Sequence, residues 1–248
     1  ALTGERRTTM SIDAVIFDCW GTLISYSVQG KGFIGARLLE LTDHPRGMTP
    51  LQAEKTWHDM MINYYADEKN VTFNHESTAA SLLLAACIRS GLKPKIPLDE
   101  LVERTIGAQY TQQAIPGINL MLDFLRKKGI PFAVASNTIY TGEQTRRYVA
   151  QCVDIRDSKF VIASSEIGVK KPNPYFFDIA AKLMGVPANR CCYIGDDLKK
   201  DIEGSHAAGY GLSIWLNSEL PVPGNMGFPV VRAKSYQEAI EILEDRIG

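Results

Sequence analysis

Asp18 is the first residue of the 248-residue chain placed to do chemistry. It follows the apolar run Val15-Ile16-Phe17 and leads into a Gly21-Thr22 turn. Two residues on, where a second acid would be expected, the chain has Trp20. A run of this kind reads as a buried strand that delivers a carboxylate at its end. Other polar residues stand in the same relation to later apolar runs: Ser136-Asn137-Thr138 after "PFAVA", Ser164 and Ser165 after "FVIA", and Asp196-Asp197 after "CCYIG". In open parallel sheets ligands bind beyond the carboxyl ends of the strands, so these side chains are expected to converge on one site.

The elements that must hold them follow from the same pattern. Strands are expected at 14–18, 131–136, 160–164, 191–195, 211–216 and 228–231. From residue 118 onward helical patterns alternate with them. "NLMLDFLRKKG" carries Arg126, Lys127 and Lys128 in its last turn and Gly129 as its stop, which complements a helix C-terminus. "NPYFFDIAAKLMG" has Asn173 as N-cap, Pro174 at the first helical position and Gly185 at its end. "KKDIEGSHAAG" and "SYQEAIEILEDRI" continue the alternation. Strands and helices in this order imply a parallel, doubly wound α/β sheet with right-handed crossovers. Between the first strand and residue 114 the pattern is helical, over roughly 33–42, 50–65, 76–90 and 98–113, with no strand. That segment reads as a helical-bundle insertion, with "AIPG" at 114–117 as its return hinge.

Composition narrows the partners. Lys and Arg number 27 and Asp and Glu 28, for a net charge of -1, so neither nucleic acid nor an acidic membrane surface is an expected ligand. Five cysteines, scattered and odd in number, read as reduced thiols of a cytoplasmic protein. No run approaches transmembrane length, and no apolar stretch of a secretory signal follows the polar first residues. A small molecule is the expected substrate, and a homodimer is an allowed assembly.

Four stretches together resemble the motifs of the haloacid dehalogenase-like hydrolases, in that family's order. They are Asp18-x-x-Gly21-Thr22-Leu23, then "VASNT" with Ser136, then "SSEIGVKKPNPYFF" with Lys171, and finally "YIGDDLKKDIEGSHAAG" with Asp196 and Asp201. The resemblance implies a Rossmann-like catalytic core over 12–23 and 115–248, an inserted helical cap over 24–114 and a loose extension over 1–11. It makes Asp18 the nucleophile that forms an aspartyl ester, later hydrolysed by water. Lys171 would offset the negative charge that develops. Thr22, Ser136 and the amides after Asp18 would bind the anionic group, and Asn137 belongs to the catalytic set beside them. Asp197 joins the catalytic set, and Cys19, Trp20, Gly21 and Thr138 the substrate contacts. Against this stands a plainer reading of Ser136-Asn137-Thr138 as the cap of the next helix, and of Asp201 as negative charge in a helix's first turn.

The motifs divide over the reaction. In the family's phosphatases the acid two residues after the nucleophile protonates the leaving alcohol, help worth roughly a hundred- to ten-thousand-fold in rate. Trp20 cannot do this. The family's 2-haloacid dehalogenases likewise have an aromatic there, since a halide leaves without a proton, and C–halogen hydrolysis of a small organic acid is the leading expectation. The fourth motif points to magnesium instead. Asp18, Asp196, Asp197 and Asp201 beside one or two lysines form a costly cluster unless a cation sits among them, and oxygen-only ligands suit Mg²⁺. In the family's metal-dependent members Asp18, Asp196, Asp201 and the backbone carbonyl of Trp20 would be the ligands. Dehalogenases also place a tyrosine where this chain has Phe177, and use a cap arginine; here the insertion offers Arg37, Arg46, Arg89 and Arg104, and His58 in its second helix. The alternative is therefore a magnesium-dependent phosphatase or phosphonate hydrolase, the latter needing a cap lysine such as Lys31 or Lys55. A third reading, of another class, is a HAD-fold binding module without turnover.

Overall fold

The structure is a computed structural model that describes residues 11–66, 76–216, 219–222 and 224–247. The expected N-terminal extension lies outside the described residues except for Ser11.

The chain enters through β1 (Ala14–Phe17), continues into β2 (Ile24–Val28) and then forms α1 (Phe33–Leu41). A short bridge, β3 (Thr42–Asp43), leads to α2 (Pro50–Ala66) and α3 (Ala79–Ser90). After β4 (Lys93–Pro94) come α4 (Leu98–Val102), a π-helical turn over Glu103–Gly107, and β5 (Tyr110–Ala114). Alternation follows: α5 (Ile118–Lys128), β6 (Phe132–Ser136), α6 (Gly142–Val149), β7 (Val161–Ala163), α7 (Ser164–Ile167) and α8 (Pro174–Met184). The chain ends with β8 (Cys191–Gly195), a π-helical segment over Leu198–Glu203, α9 (Gly204–Ala207), β9 (Leu212–Leu216), β10 (Val231–Ala233) and α10 (Tyr236–Glu244).

Six strands form one parallel sheet in the order β10-β9-β8-β1-β6-β7. This is the expected α/β, Rossmann-like arrangement. The chain winds from β1 outward through β6 and β7, then returns to the other side of β1 for β8 to β10. The crevice at such a reversal is where ligands bind in doubly wound sheets, and here it falls at the end of β1, immediately before Asp18. Phe17 pairs with Val134 of β6 and with Ile194 of β8, so the three strand ends carrying Asp18, Ser136 and Gly195-Asp196 are level.

The alternation of side chains across the sheet explains the all-apolar strands. Val15 and Phe17 join one buried cluster with α5 and α10, through Met121, Leu122, Leu125, Ala239 and Leu243. Ala14 and Ile16 join the opposite cluster with α8, through Phe176, Phe177 and Ala180. The capping signals act as expected. Asn173 accepts from the Tyr175 amide with Pro174 next in line, and Gly129 and Gly185 end their helices in the left-handed region. The third apolar cluster belongs to the helices between β2 and β5. Leu38, Trp57, Leu83, Leu101 and Ile106 pack there together with Ile139, Tyr140 and Tyr148, which lie beyond β6.

Two expectations about this region are corrected. It contains strands: Ile24–Val28 pairs antiparallel with Tyr110–Ala114, and Thr42–Asp43 with Lys93–Pro94. The helix expected over 98–113 therefore stops at Gly107. Tyr110, Thr111 and Gln112 suit an extended, half-exposed strand, and pairing with β2 overrides the helical reading of the segment. The last strand also lies later than expected, at Val231–Ala233 rather than 228–231, set by its pairing with Ile214–Leu216.

Candidate active site

The site forms where β1, β6 and β8 end. Asp18 sits directly after β1, and its amide donates to the Ile194 carbonyl at 2.9 Å, tying it to β8. The chain then turns sharply. Amides of Thr22, Leu23 and Ile24 all donate to the Cys19 carbonyl, and the Gly21 amide donates to Ile24. Gly21 holds φ 81°, and a Cβ there would lie 2.4 Å from Asp196 Oδ2. Only glycine fits between the turn and the β8 carboxylate.

Two side chains bind Asp18 Oδ1, and further site groups meet around them. Ser136 Oγ donates to Asp18 Oδ1 at 2.8 Å, and Lys171 Nζ donates to the same oxygen at 2.7 Å. Lys171 Nζ also donates to Asp201 Oδ1 at 2.6 Å and to the Tyr193 hydroxyl at 3.0 Å. Thr22 Oγ1 donates to Asp196 Oδ1 at 3.1 Å. Carboxylate oxygens of Asp18, Asp196 and Asp201 lie within 4.8 Å of one another. Gly195 leaves room for this, since a Cβ at that position would lie 2.3 Å from Asp201 Oδ2.

Asn137 makes a reciprocal pair with the Lys171 backbone, donating to its carbonyl at 2.9 Å and accepting from its amide at 2.8 Å. The Thr138 amide donates to Ser164 Oγ at 3.0 Å. The helix that follows is capped by Thr141, whose side chain and that of Gln144 form a capping box. Ser136-Asn137-Thr138 is therefore not its cap. Asp201 does stand in the first turn of its helix, but its side chain is buried among the site groups as well.

Electrostatics follow from burial. Burial opposes the charge on Lys171, yet the carboxylates of Asp18 and Asp201 hold its pKa well above the ordinary lysine range. Burial, with the nearby Asp18 charge adding to it, pushes Asp196 up to about 6. Burial pushes Asp201 up to about 7, with Lys171 pulling the other way. Three carboxylates this close, two of them reluctant to ionise, are an all-oxygen donor set that fits a hard divalent cation such as Mg²⁺.

Two expected residues sit elsewhere. Asp197 accepts from the Lys199 and Lys200 amides as an N-cap and lies 3.5 Å from Lys200 Nζ, while its own amide donates to Asp201 Oδ2. Cys19 is fully buried in the core, so only its backbone faces the site. Trp20 lines a cavity of about 560 Å³ together with Asn137, Thr138 and His58. Tyr193 is a site residue that none of the motifs marks. Phe177 packs edge-on against it, ring centres 5.0 Å apart, and the hydroxyl beside Lys171 comes from β8 instead of from α8. Its signal in the sequence is its place two residues ahead of Gly195, on the face opposite Ile194.

A sheet reversing at β1, with an aspartate there facing a buried lysine and two further aspartates, defines a HAD-type hydrolase. Residues 12–209 match the haloacid dehalogenase-like hydrolase family, and the chain belongs to it. It is similar to the phosphatase MT3486 of Mycobacterium tuberculosis, 28% identical over 81% of this chain and 85% of that one. A phosphoglycolate phosphatase of Pseudomonas fluorescens is 28% identical over 84% of this chain and 72% of its own. Among solved structures, a 2-haloacid dehalogenase from Pseudomonas syringae pv. Tomato superposes with a TM-score of 0.64 at 20% identity, covering 94% of this chain and 99% of that chain; this likeness is one of fold. Among the described residues no helix is long and apolar enough to cross a membrane.

Proposed function

We propose that the chain is a magnesium-dependent hydrolase of small phosphate monoesters that works through an aspartyl-phosphate on Asp18. The observation that carries this reading is the trio of Asp18, Asp196 and Asp201 oxygens within 4.8 Å. Asp18, Asp196, Asp201 and the backbone carbonyl of Trp20 would hold the ion. Bound there, magnesium supplies positive charge against the phosphoryl oxygens and the carboxylates.

The chain's own groups do the rest. Ser136 and Lys171 both bind Asp18 Oδ1, which fixes the carboxylate and leaves Oδ2 without either bond. Oδ2 is the oxygen we assign to attack on phosphorus. The Asn137 clamp on the Lys171 backbone keeps the ammonium at the reacting centre. Thr22, held against Asp196, stabilises the turn whose remaining amides, those of Cys19 and Trp20, receive the anion. The helices between β2 and β5 act as the cap that excludes water and selects a small-molecule substrate.

Dehalogenation is the second reading, favoured by the missing acid at Trp20. It lacks a substrate-carboxylate anchor. Among the described residues no arginine lines the Trp20 cavity, and Arg37 and Arg104 both face Glu40. The phosphonate reading finds no lysine in the cavity among the described residues: Lys31 is exposed, and Lys55 is exposed and paired with Asp59 at 2.6 Å. The deciding experiment compares phosphate and halide release with magnesium and with chelator. Phosphate release that chelator stops and magnesium restores is expected, together with no turnover by Asp18→Asn. Halide release from a 2-haloacid in chelator would overturn the assignment, and ligand binding without turnover would favour the binding-module reading.

A further inference from the structure

The cavity beside the site is aromatic. Trp20, Tyr26, Trp57, Tyr110 and Tyr140 line it with Met61 and His58, and among the described residues no Lys, Arg, Asp or Glu does. The rings are arranged as a packed wall: Trp20 to Tyr26 is 5.5 Å between centres, Tyr26 to Tyr110 4.8 Å, and Trp20 to Tyr140 6.4 Å. Its volume, about 560 Å³, suits a small molecule. Asn137 and Thr138, which follow directly on β6, and Trp20, two residues after Asp18, are among its lining residues, so it adjoins the strand ends that carry the site.

Two independent features of this cavity concern the leaving group. An alcohol bearing a carboxylate or a second phosphate would place that charge among aromatic rings, where His58 is the one basic side chain among the described residues of the lining. A flat apolar ring would instead pack edge-on or offset against them. The same wall includes Trp20, at the position from which a carboxylic acid would protonate a departing alkoxide. An alkyl phosphate needs that proton; a phenolate, much more stable as an anion, does not. Resting on the aspartyl-phosphate reading above, we propose that the substrates are aryl phosphates, meaning phosphate monoesters of phenol-like compounds without further charge, with the ring seated against Trp20, Tyr26 and Tyr110.

The step balances without a general acid. Asp18 Oδ2 bonds to phosphorus, and the bond from phosphorus to the phenolic oxygen breaks with its electron pair going to that oxygen. The phenolate leaves and takes a proton from solvent. Water then adds to phosphorus, the bond to Asp18 breaks, and phosphate leaves with the carboxylate regenerated.

The test has a kinetic arm and a binding arm, both in magnesium. Phenyl phosphate is expected to exceed ethyl phosphate and glycolate phosphate in kcat/KM by at least roughly a hundredfold, the lower end of what a general acid supplies. Trp20→Asp should narrow that gap to under about tenfold by raising the alkyl esters, and Trp20→Phe should keep it. In the turnover-blocked Asp18→Asn protein, phenyl phosphate should quench tryptophan fluorescence at lower concentration than ethyl phosphate, and Tyr110→Ala should abolish that difference. Equal rates for aryl and alkyl esters, or equal binding in the Asp18→Asn protein, would overturn the substrate class while leaving the phosphatase reading intact. Absence of phosphate release from every ester would overturn the phosphatase reading itself. Should Trp20→Asp not fold, the binding arm decides alone.

Discussion

Lys171 Nζ lies 2.7 Å from Asp18 Oδ1, with both side chains almost closed to solvent. The same ammonium also holds Asp201 at 2.6 Å. One cation thus answers two buried carboxylates, and removing it leaves both without a countercharge. Lys171→Met is expected to lower stability by about 3–5 kcal/mol and kcat/KM by roughly a hundred- to a thousandfold. Chemical denaturation and steady-state kinetics measure the two effects. A stable Lys171→Met protein of unchanged activity would remove Lys171 from the mechanism.

Gly21 and Asp196 touch across the crevice. A Cβ at Gly21 would come within 2.4 Å of Asp196 Oδ2, and φ 81° disfavours any side chain. Gly21→Ala is therefore expected to cost about 1–3 kcal/mol in backbone strain. It should also push Asp196 away from its partners, so magnesium binding, measured by titration calorimetry, should weaken. Alanine at Gly129, another glycine of positive φ with open space around it, should carry the backbone cost with no change in magnesium binding.

Protons and metal compete for the same oxygens. Burial above all pushes Asp196 up to about 6 and Asp201 up to about 7 in the folded protein. Between the unfolded value, about 4, and these folded values, the folded chain holds protons that the unfolded chain has released. The metal-free protein therefore loses this stability as pH rises through 4 to 7, and has it in full below that window. A cation reverses the sign by binding the ionised forms. The rise in Tm produced by magnesium should accordingly be larger at pH 8 than at pH 5. Equal shifts at the two pH values would place the ion away from these carboxylates.

Which parts of this site the sequence disclosed depends on the range of the forces that place them. Asp18, Ser136 and Asp196 were legible because each ends an apolar run, and strand ends share an edge in any parallel sheet. Lys171 was named through its neighbours Pro172, Asn173 and Pro174, which resemble a family motif, and local pattern alone did not set it beside Asp18. The local pattern reads 110–113 as helix because the strand partner of Tyr110–Ala114, Ile24–Val28, lies more than eighty residues earlier, beyond any local signal. Asp197 shares the sequence "GDD" with Asp196, yet one carboxylate caps a helix and the other meets Thr22. That choice is made by the turn after β8.

The least legible contact joins the two ends of the chain. The hydroxyl of Tyr236, fully buried, donates to the Thr22 carbonyl at 2.8 Å across 214 residues. Thr22 in turn donates to Asp196 through its hydroxyl, so Tyr236 fixes the turn that carries one site group against another. Tyr236→Phe keeps the ring packing with Phe17 and deletes only the hydroxyl. It leaves a carbonyl without its donor and is expected to cost about 1–3 kcal/mol, or roughly 2–4 °C in Tm for each kcal/mol in a protein of this size. A purely structural role would end there. If the bond positions Thr22, the variant should also weaken magnesium binding, and that second loss should disappear in a Thr22→Val background, where there is no hydroxyl left to position. Losses in magnesium affinity that simply add in the double variant would confine Tyr236 to holding the fold.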